Sequence, residues 1–316
     1  MRSKSRKVIL LTGTAGFIGA NLARLCLKKN FEVHALVKKE SNLWRIRDLK
    51  GNINLHYDDL SNLRKLKKNL RTINPKYILH LASHGSYPHQ TNVNKMIEAN
   101  VLGTYNLLEA SLDIPYQCLI NTGSSSEYGF KSKPMKETDV LEPVSFYAAT
   151  KAGATLLCQV FARQFGKPII NFRLFSVYGP YEAPTRLIPQ AIKAAITGQT
   201  LKLTPGKERR DFIHIEDVAQ AFFQAIDKKN LDGEILNIGT GKQHTNLQVA
   251  EIIRKLSGNR LKVEVGTYKP RYWDTDFWVA DISKIKAQLG WQPKYSLEDG
   301  LKRTYSWFIK NLSLYK

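Results

Sequence analysis

A tyrosine and a lysine four residues apart, Tyr147 and Lys151, could perform acid–base chemistry in this chain. On a helix, side chains at this spacing stand on the same face. A neighbouring ammonium favours the phenolate form and so lowers the pKa of a tyrosine from its ordinary value near ~10. The pair therefore suits proton exchange with a substrate oxygen, although the same spacing also occurs on ordinary helix surfaces.

A cluster of hydroxyl groups follows the apolar strand predicted over Gln117–Thr122. Ser124, Ser125 and Ser126 come directly after that strand. In open parallel sheets, ligands bind at the carboxyl ends of strands. A serine at this place can donate a hydrogen bond to a substrate oxygen on which charge develops. We therefore expect a serine of this cluster to act together with Tyr147 and Lys151.

Three glycines spaced three apart follow the apolar run that begins at Val8, and a helical pattern comes after them. Such a turn lets backbone approach a pyrophosphate, and the helix N-terminus offers free N–H groups to it. The alternative is a tight strand–helix turn without a ligand. The residues predicted to bind a dinucleotide here are Gly13, Gly16, Phe17, Ile18 and Gly19.

The end of the predicted second strand, Phe31–Val37, bears on the choice of cofactor. Many dinucleotide-binding folds have an acidic residue there, which holds the adenine ribose hydroxyls. This chain continues instead with Lys38 and Lys39. Because a lysine attracts a 2′-phosphate, Lys38 favours NADP, with NAD as an alternative. Lys38 could also be an ordinary solvated loop residue.

Strands and helices alternate along the first half of the chain. This alternation predicts an α/β fold of the Rossmann type, a doubly wound parallel sheet. Proline-rich, shorter elements after Tyr178 predict a smaller C-terminal α/β substrate lobe. We expect a dinucleotide-binding domain over 1–178 and a substrate lobe over 179–316, with segments such as Glu234–Ile238 returning to the sheet. The other predicted elements are strands Ile53–Tyr57, Tyr77–Ser83 and Pro168–Phe175, and helices Met96–Leu112 and Ser145–Phe165.

The chain is strongly basic, with 48 Lys and Arg against 27 Asp and Glu and a formal charge of +21. Such a charge raises the possibility of nucleic-acid binding. The lysines are scattered and lack interleaved aromatic residues, so a solvated surface and a basic cleft for an anionic small substrate are the better interpretation. We expect no nucleic-acid partner.

Composition also bears on the compartment. The chain has no apolar run of roughly 18 residues, so we expect no membrane span. The basic N-terminus is followed by an apolar run too short for a signal peptide. Cys26, Cys118 and Cys158 lie in apolar surroundings without metal-ligand spacing. They predict buried free thiols, no metal site and a cytoplasmic location.

From Val8 to about Trp307 the chain resembles an extended short-chain dehydrogenase/reductase of the nucleotide-sugar epimerase/dehydratase group. No single motif carries the resemblance. The matching pieces are Thr12–Gly19, Asp59-Leu60, Leu81-Ala82, Asn100–Thr104, Ser124, Tyr147 with Lys151, Arg210–Phe212, Ala280–Lys284 and Leu289–Trp291.

The resemblance implies a role for each matching residue. Ser124, Tyr147 and Lys151 would form the catalytic triad. Along the cofactor it implies Asp59 and Leu60 at the adenine, Leu81 and Ala82 beside the cofactor, and Asn100 as a support for the Lys151 region. For the substrate it implies Arg210 and Arg271 at the diphosphate, Asp274 at the ribose, and further contacts from Ser125, Ser176, Arg186 and Leu187. Arg210 could instead form a structural salt bridge.

The chain departs from the family pattern at two places. Ser176 replaces a usual asparagine, which changes the substrate contacts that the resemblance implies. Dehydratases of the group have an acidic residue two places after the catalytic hydroxyl, where this chain has Ser126. With the NADP preference, this favours a 4-keto-6-deoxy-sugar reductase, followed by a nucleotide-sugar 4-epimerase. A dehydratase is disfavoured. A silent dinucleotide-binding protein is also an alternative, although such relatives typically lose the Tyr/Lys pair.

The predicted helices Met96–Leu112 and Ser145–Phe165 carry more apolar residues than one sheet face needs. The resemblance implies a homodimer in which these helices form a four-helix interface. Ordinary core packing is the alternative. The residues expected at the interface are Ala99, Leu102, Leu107, Leu157 and Phe161.

Overall fold

The structure is a computed structural model that describes residues 6–267 and 274–315. Within these residues the strands are β1 Val8–Thr12, β2 Glu32–Val37, β3 Asn54–Tyr57, β4 Tyr77–His80, β5 Cys118–Ser124, β6 Ile169–Leu174, β7 Ser176–Tyr178, β8 Thr200–Lys202, β9 Arg209–Arg210, β10 Phe212–His214, β11 Ile235–Ile238, β12 His244–Thr245 and β13 Lys262–Glu264. The α-helices are α1 Phe17–Lys28, α2 Leu63–Ile73, α3 Val93–Met96, α4 Gly103–Ser111, α5 Phe146–Phe165, α6 Leu187–Thr197, α7 Ile215–Ala225, α8 Asn246–Leu256, α9 Ser283–Leu289 and α10 Leu297–Asn311.

The chain divides into two compact units. Unit 1 comprises the described residues up to Gly129, then Leu141–Arg173 and Phe222–Leu236. Unit 2 comprises Phe130–Val140, Leu174–Ala221 and the described residues from Asn237 onward. The domain division expected at residue 178 stays a prediction.

A seven-stranded parallel sheet with flanking helices confirms the predicted Rossmann-type α/β fold. Its strand order is β11-β6-β5-β4-β1-β2-β3. Strand β1 pairs with β2 on one side and with β4 on the other. The winding direction therefore reverses between β1 and β4, and ligands of such sheets bind at this reversal.

Strand β4 ends at His80, three residues before the end of the strand predicted over Tyr77–Ser83. The next two backbone N–H groups, of Leu81 and Ala82, donate to the Thr12 side chain at 3.2 Å and leave the strand ladder. By contrast β5 continues to Ser124, two residues beyond the predicted end.

The helix predicted over Met96–Leu112 is interrupted. Its first part, Ile97–Leu102, is a π-helical turn between α3 and α4. Such turns are uncommon and often occur at functional sites. Asn100 lies within this turn, and its side chain makes the long-range hydrogen bonds described below.

Helix α5 begins at Phe146 because the Ser145 side chain caps it, accepting a hydrogen bond from the Ala148 N–H at 3.2 Å. It ends at Gly166, whose left-handed backbone terminates the helix. The apolar core of unit 1 includes Leu107, Phe161 and Cys158. All three cysteines are buried and free, as predicted.

Unit 2 holds short sheets and helices. Strand β7 pairs in parallel with β10, β8 pairs in parallel with β13, and β9 pairs antiparallel with β12. Its apolar core gathers residues of α6, α8 and α10, including Ile192, Ile253 and Phe308. In the described ranges, no helix combines the length and apolar character that crossing a membrane requires.

Candidate active site

The turn after β1 has the geometry of an anion cradle. Gly13 has φ +67°, and a Cβ on it would lie 2.6 Å from the Ala82 nitrogen. A Cβ on Gly19 would lie 2.4 Å from the Gly13 carbonyl oxygen. Side chains at these two places would therefore collide with backbone, so glycine is required at Gly13 by conformation and by space, and at Gly19 by space.

Helix α1 begins directly after this turn. Gly16 is its N-cap and has no side chain to cap it, and Phe17 and Ile18 are its first residues. The first N–H groups of a helix lack partners within the helix and carry the positive end of its dipole. The glycine turn and the start of α1 together therefore fit the pyrophosphate of a dinucleotide cofactor.

The Thr12 hydroxyl joins the turn after β1 to the segment after β4. It accepts hydrogen bonds from the Leu81 and Ala82 N–H groups. It is also 2.7 Å from His80 Nδ1, to which it can donate its own proton. The predicted cofactor residues Gly13, Leu81 and Ala82 are thus held side by side at the reversal of the sheet.

His80 is buried, and its hydrogen bonds define one neutral tautomer. Its Nε2 lies 3.0 Å from the Thr104 hydroxyl, which itself donates to the Asn100 carbonyl at 2.6 Å. Nε2 therefore carries the proton and Nδ1 accepts from Thr12. Burial, assisted by the positive charge of Lys151, lowers the pKa of His80 to about 3.

Asn100 connects two predicted parts of the site. Its side-chain oxygen accepts from the His84 N–H, and its amide donates to the His84 carbonyl, both at 2.8 Å. The amide also donates to the Thr150 hydroxyl at 2.9 Å, and that hydroxyl donates to the Tyr147 carbonyl. Asn100 thereby holds the segment after β4 against α5.

Tyr147 and Lys151 lie one turn apart on α5. Tyr147 is half-buried, whereas Lys151 has only 4% of its surface accessible. Burial lowers the pKa of Lys151, and the nearby Glu127 carboxylate opposes that effect. A buried ammonium with little hydration exerts a strong field on its neighbours.

Ser124 lies at the carboxyl end of β5, as predicted, and is half-buried. Its hydroxyl is 2.7 Å from that of Ser126 and accepts from the Ser126 N–H at 3.2 Å. Ser125, the predicted substrate contact, is buried. The place of the dehydratase acid is therefore filled by a hydroxyl that bonds to Ser124.

The sequence reasoning missed a buried ion pair beneath this serine. Glu127 accepts at 2.8 Å from Nε of Arg173, and both residues are at most 2% exposed. The signal was present, since Arg173 is the one charged residue of strand β6 and must have a partner when buried. Local patterns could not show that this partner is 46 residues away.

Two further residues predicted to bind the cofactor, Lys38 and Asp59, follow β2 and β3. Lys38 Nζ is 2.7 Å from the Asp59 carboxylate, and both side chains are partly exposed. Burial raises the pKa of Asp59, but Lys38 and the Ser61 N–H outweigh it and hold that pKa below its usual value. The carbonyl of Leu60 accepts from Asn106, which fixes this loop on α4.

Apart from Ser125, which belongs to unit 1, the predicted substrate residues that the structure describes lie in unit 2. Arg210 pairs with Asp274 at 3.2 Å and stacks on Trp278, 5.3 Å from the ring centre. Ser176 is in β7, while exposed Arg186 directly precedes α6 and half-buried Leu187 is the first residue of that helix. Arg271 lies outside the described residues.

Comparisons with known proteins agree with this architecture. The sequence model of the GDP-mannose 4,6 dehydratase family matches residues 10–304. A UDP-glucuronate 4-epimerase of Thermodesulfobacterium geofontis is 34% identical over 319 residues, covering 97% of this chain and 98% of that protein.

Two solved structures are similar over nearly their full length. The UDP-glucuronic acid 4-epimerase from Bacillus cereus, solved with UDP-glucuronic acid and NAD, has a TM-score of 0.86 and 29% identity, covering 96% of this chain and 99% of that one. An epimerase from Methanothermobacter thermautotrophicus has a TM-score of 0.89 and 30% identity, covering 98% and 94%.

Proposed function

Because this chain is an enzyme of the GDP-mannose 4,6 dehydratase family, we propose that it moves hydride at C4 of a nucleotide-diphosphate sugar and acts as a 4-epimerase. The relative and the two solved structures compared above are epimerases. This similarity supports the epimerase over the reductase that the sequence favoured. The 4-keto-6-deoxy-sugar reductase stays the second candidate, supported by Lys38 beside the predicted adenine site.

The observation that carries the proposal is that no free carboxyl group lies next to the Ser124 hydroxyl among residues 125–127. Elimination of water needs an acid next to the catalytic hydroxyl, and Ser126 fills that place. The neighbouring carboxylate, Glu127, is buried and occupied by Arg173 and by the Ser124 N–H. These residues support hydride transfer without elimination.

A bound nicotinamide would supply the hydride acceptor and donor. Tyr147 would take the proton from the C4 hydroxyl as hydride leaves that carbon, and Ser124 would donate a hydrogen bond to the same oxygen. Lys151 would favour the phenolate of Tyr147 by its charge. In an epimerase the 4-keto sugar then rotates. Tyr147 returns the proton to the C4 oxygen as hydride adds to the opposite face of the sugar.

Recognition of the two anionic groups is proposed at separate places. Gly13, Gly16 and Gly19 would receive the cofactor pyrophosphate. Arg210 would contact the substrate diphosphate, because a planar guanidinium makes paired bonds to phosphate oxygens. Its bond to Asp274 leaves the alternative of a purely structural salt bridge open.

The test is whether cofactor is recycled or consumed. Freshly purified protein is incubated with UDP-glucuronic acid or UDP-glucose without added cofactor, and the sugar is analysed by NMR. An epimerase interconverts the C4 epimers over many turnovers while bound cofactor, identified by mass spectrometry after denaturation, stays constant. Stoichiometric loss of added NADPH with a 4-keto sugar would instead establish the reductase.

Tyr147→Phe provides the control for the site assignment. It removes only the transferable proton, so turnover should fall by at least about a thousandfold while cofactor affinity stays near that of the parent. Tyr105→Phe, a tyrosine on the exposed face of α4, should leave both unchanged. Turnover within a few-fold of the parent in Tyr147→Phe would refute the assigned site.

A further inference from the structure

The buried ion pair of Glu127 and Arg173 has no part in the reaction steps described above. Glu127 is fully buried and Arg173 is 2% exposed. Burying two charges costs free energy that their mutual attraction often only just repays. Stability alone therefore does not explain why this ion pair lies next to Ser124.

Glu127 receives hydrogen bonds from three different elements. The N–H of Ser124, at the end of β5, donates to Oε1 at 2.7 Å. The Thr155 hydroxyl, two residues beyond Gly153 on α5, donates to the same oxygen at 3.1 Å. Arg173 on β6 donates to Oε2 at 2.8 Å. One carboxylate thus joins the strand end that carries Ser124 to the helix that carries Tyr147 and Lys151.

The surroundings hold this carboxylate firmly. A Cβ on Gly123 would lie 2.6 Å from Glu127 Oε1, 3.1 Å from the Thr155 hydroxyl and 3.3 Å from the Phe172 carbonyl. The backbone of β5 therefore approaches Glu127 as closely as glycine permits. The guanidinium of Arg173 also stacks on Tyr128, 4.6 Å from the ring centre.

We propose that Glu127 is a positioning residue, which fixes Ser124 relative to Tyr147 and Lys151 by binding the end of β5 to helix α5. The inference rests on the proposed function, since it assigns Glu127 to the same site. Glu127 acts through Ser124 and α5, and the substrate does not touch it. Glu127 thus differs from the acidic residue that dehydratases of the group have two places after the catalytic hydroxyl, which takes part in eliminating water from the sugar.

The charge of Glu127 gives the proposal an independent readout. Lys151 lies near Glu127, near His80 on β4 and near Cys158 on its own helix, while Arg173 faces Glu127 from β6. Burial lowers the pKa of Lys151, and the Glu127 carboxylate partly restores it. Removal of that negative charge should lower the pKa further, since the ammonium loses its compensating partner.

The first experiment uses Glu127→Gln in protein labelled with ¹⁵N-lysine. The amide oxygen still accepts from Ser124 and Thr155, but the charge is gone. The Lys151 signal, assigned by its loss in Lys151→Met, should titrate at a lower pH than in the parent. Asp217→Asn, which removes another buried carboxylate far along the chain, should not move it. An unshifted Lys151 titration in Glu127→Gln would overturn the placement of the carboxylate.

The second experiment avoids the risk that an unpaired Arg173 unfolds the protein. Thr155→Val removes one hydrogen bond to Glu127 at nearly constant volume, and Thr155→Ser keeps it. For the proposed C4 reaction, Thr155→Val should lower kcat about five- to tenfold with KM unchanged, and Thr155→Ser should restore most of it. Equal kcat in Thr155→Val and the parent would refute the positioning role.

The two experiments separate the two proposals. The lysine titration needs neither substrate nor turnover, so it tests the charge arrangement even if no nucleotide sugar reacts. A protein with the expected Lys151 shift but no C4 chemistry would refute the proposed function alone.

Discussion

At the scale of single residues, the choice of cofactor depends on how Lys38 divides its charge. The sequence presents Lys38 as a free cation at the end of β2. The structure pairs it with Asp59 at 2.7 Å, in a place where solvent reaches both side chains. The carboxylate offsets part of the attraction that Lys38 has for a 2′-phosphate, so the pair is compatible with NADP and with NAD.

Lys38→Met should separate these possibilities. If Lys38 binds the 2′-phosphate, the substitution removes a charged hydrogen bond, which is worth about 1.5 kcal/mol or more, and weakens NADPH binding at least about tenfold. NADH binding should change little. Fluorescence titration of both cofactors measures this, with Lys39→Met as the neighbouring control. An unchanged ratio of the two affinities would place Lys38 outside the cofactor site.

At the scale of elements, the structure corrects part of the predicted dimer interface. Leu107 and Phe161 are buried in the apolar core of unit 1 and so are not available to a second copy of the chain. Ala99 and Leu157 are partly buried, and Leu102 is exposed. The large apolar residues of these helices that are exposed are Ile97 and Leu102 in the π-helical turn, Tyr105 on α4, and Phe146, Leu156, Val160 and Phe165 on α5.

This exposed apolar surface supports the predicted homodimer. We expect light scattering at micromolar concentration to give twice the chain mass of 36.0 kDa. Leu156→Glu with Val160→Glu should shift the mass toward the monomer, because burying two carboxylates in an isologous interface is costly. Val140→Glu, at another exposed apolar residue, should leave the mass unchanged. A monomer mass for the parent would remove the dimer.

At the scale of the whole molecule, buried neutral histidines link stability to pH. His80 lies in unit 1 and His214 in unit 2. Burial lowers the pKa of His80 to about 3 and that of His214 to about 4. In an unfolded chain, histidine has a pKa near ~6.5. Between these values the unfolded state binds more protons, so stability is complete above about pH 6.5 and is lost as the pH falls toward 4.

His214→Phe should reduce this acid sensitivity. Each buried histidine contributes a slope of about 1.4 kcal/mol per pH unit to the free energy of unfolding between the two pKa values. Urea unfolding of parent and variant from pH 7 to pH 4.5 gives the difference in slope. The comparison removes the contribution of Asp211, whose pKa burial raises to about 6 and whose effect has the opposite sign. Equal slopes would show that His214 takes up no extra proton on unfolding.

The sequence by itself determined the features that depend on local spacing. The glycines at positions 13 and 19 were predicted from the spacing within one short turn. The structure gives the reason for them, since a Cβ at either position would overlap backbone atoms. The alternation of strands and helices predicted the parallel sheet, and the four-residue spacing placed Tyr147 and Lys151 on one helix. Each depends on neighbours along the chain, whose geometry the periodicity of helix or strand specifies.

Tertiary structure alone decided which polar groups become partners across the chain. Glu127 finds Arg173 46 residues away, and His80 finds Thr12 across 68 residues. Lys38 forms an ion pair with Asp59. The π-helical turn brings the side chain of Asn100 within hydrogen-bonding distance of Thr150. No local pattern encodes these distances, because a buried polar group is satisfied by whichever donor or acceptor the packing brings within about 3 Å of it.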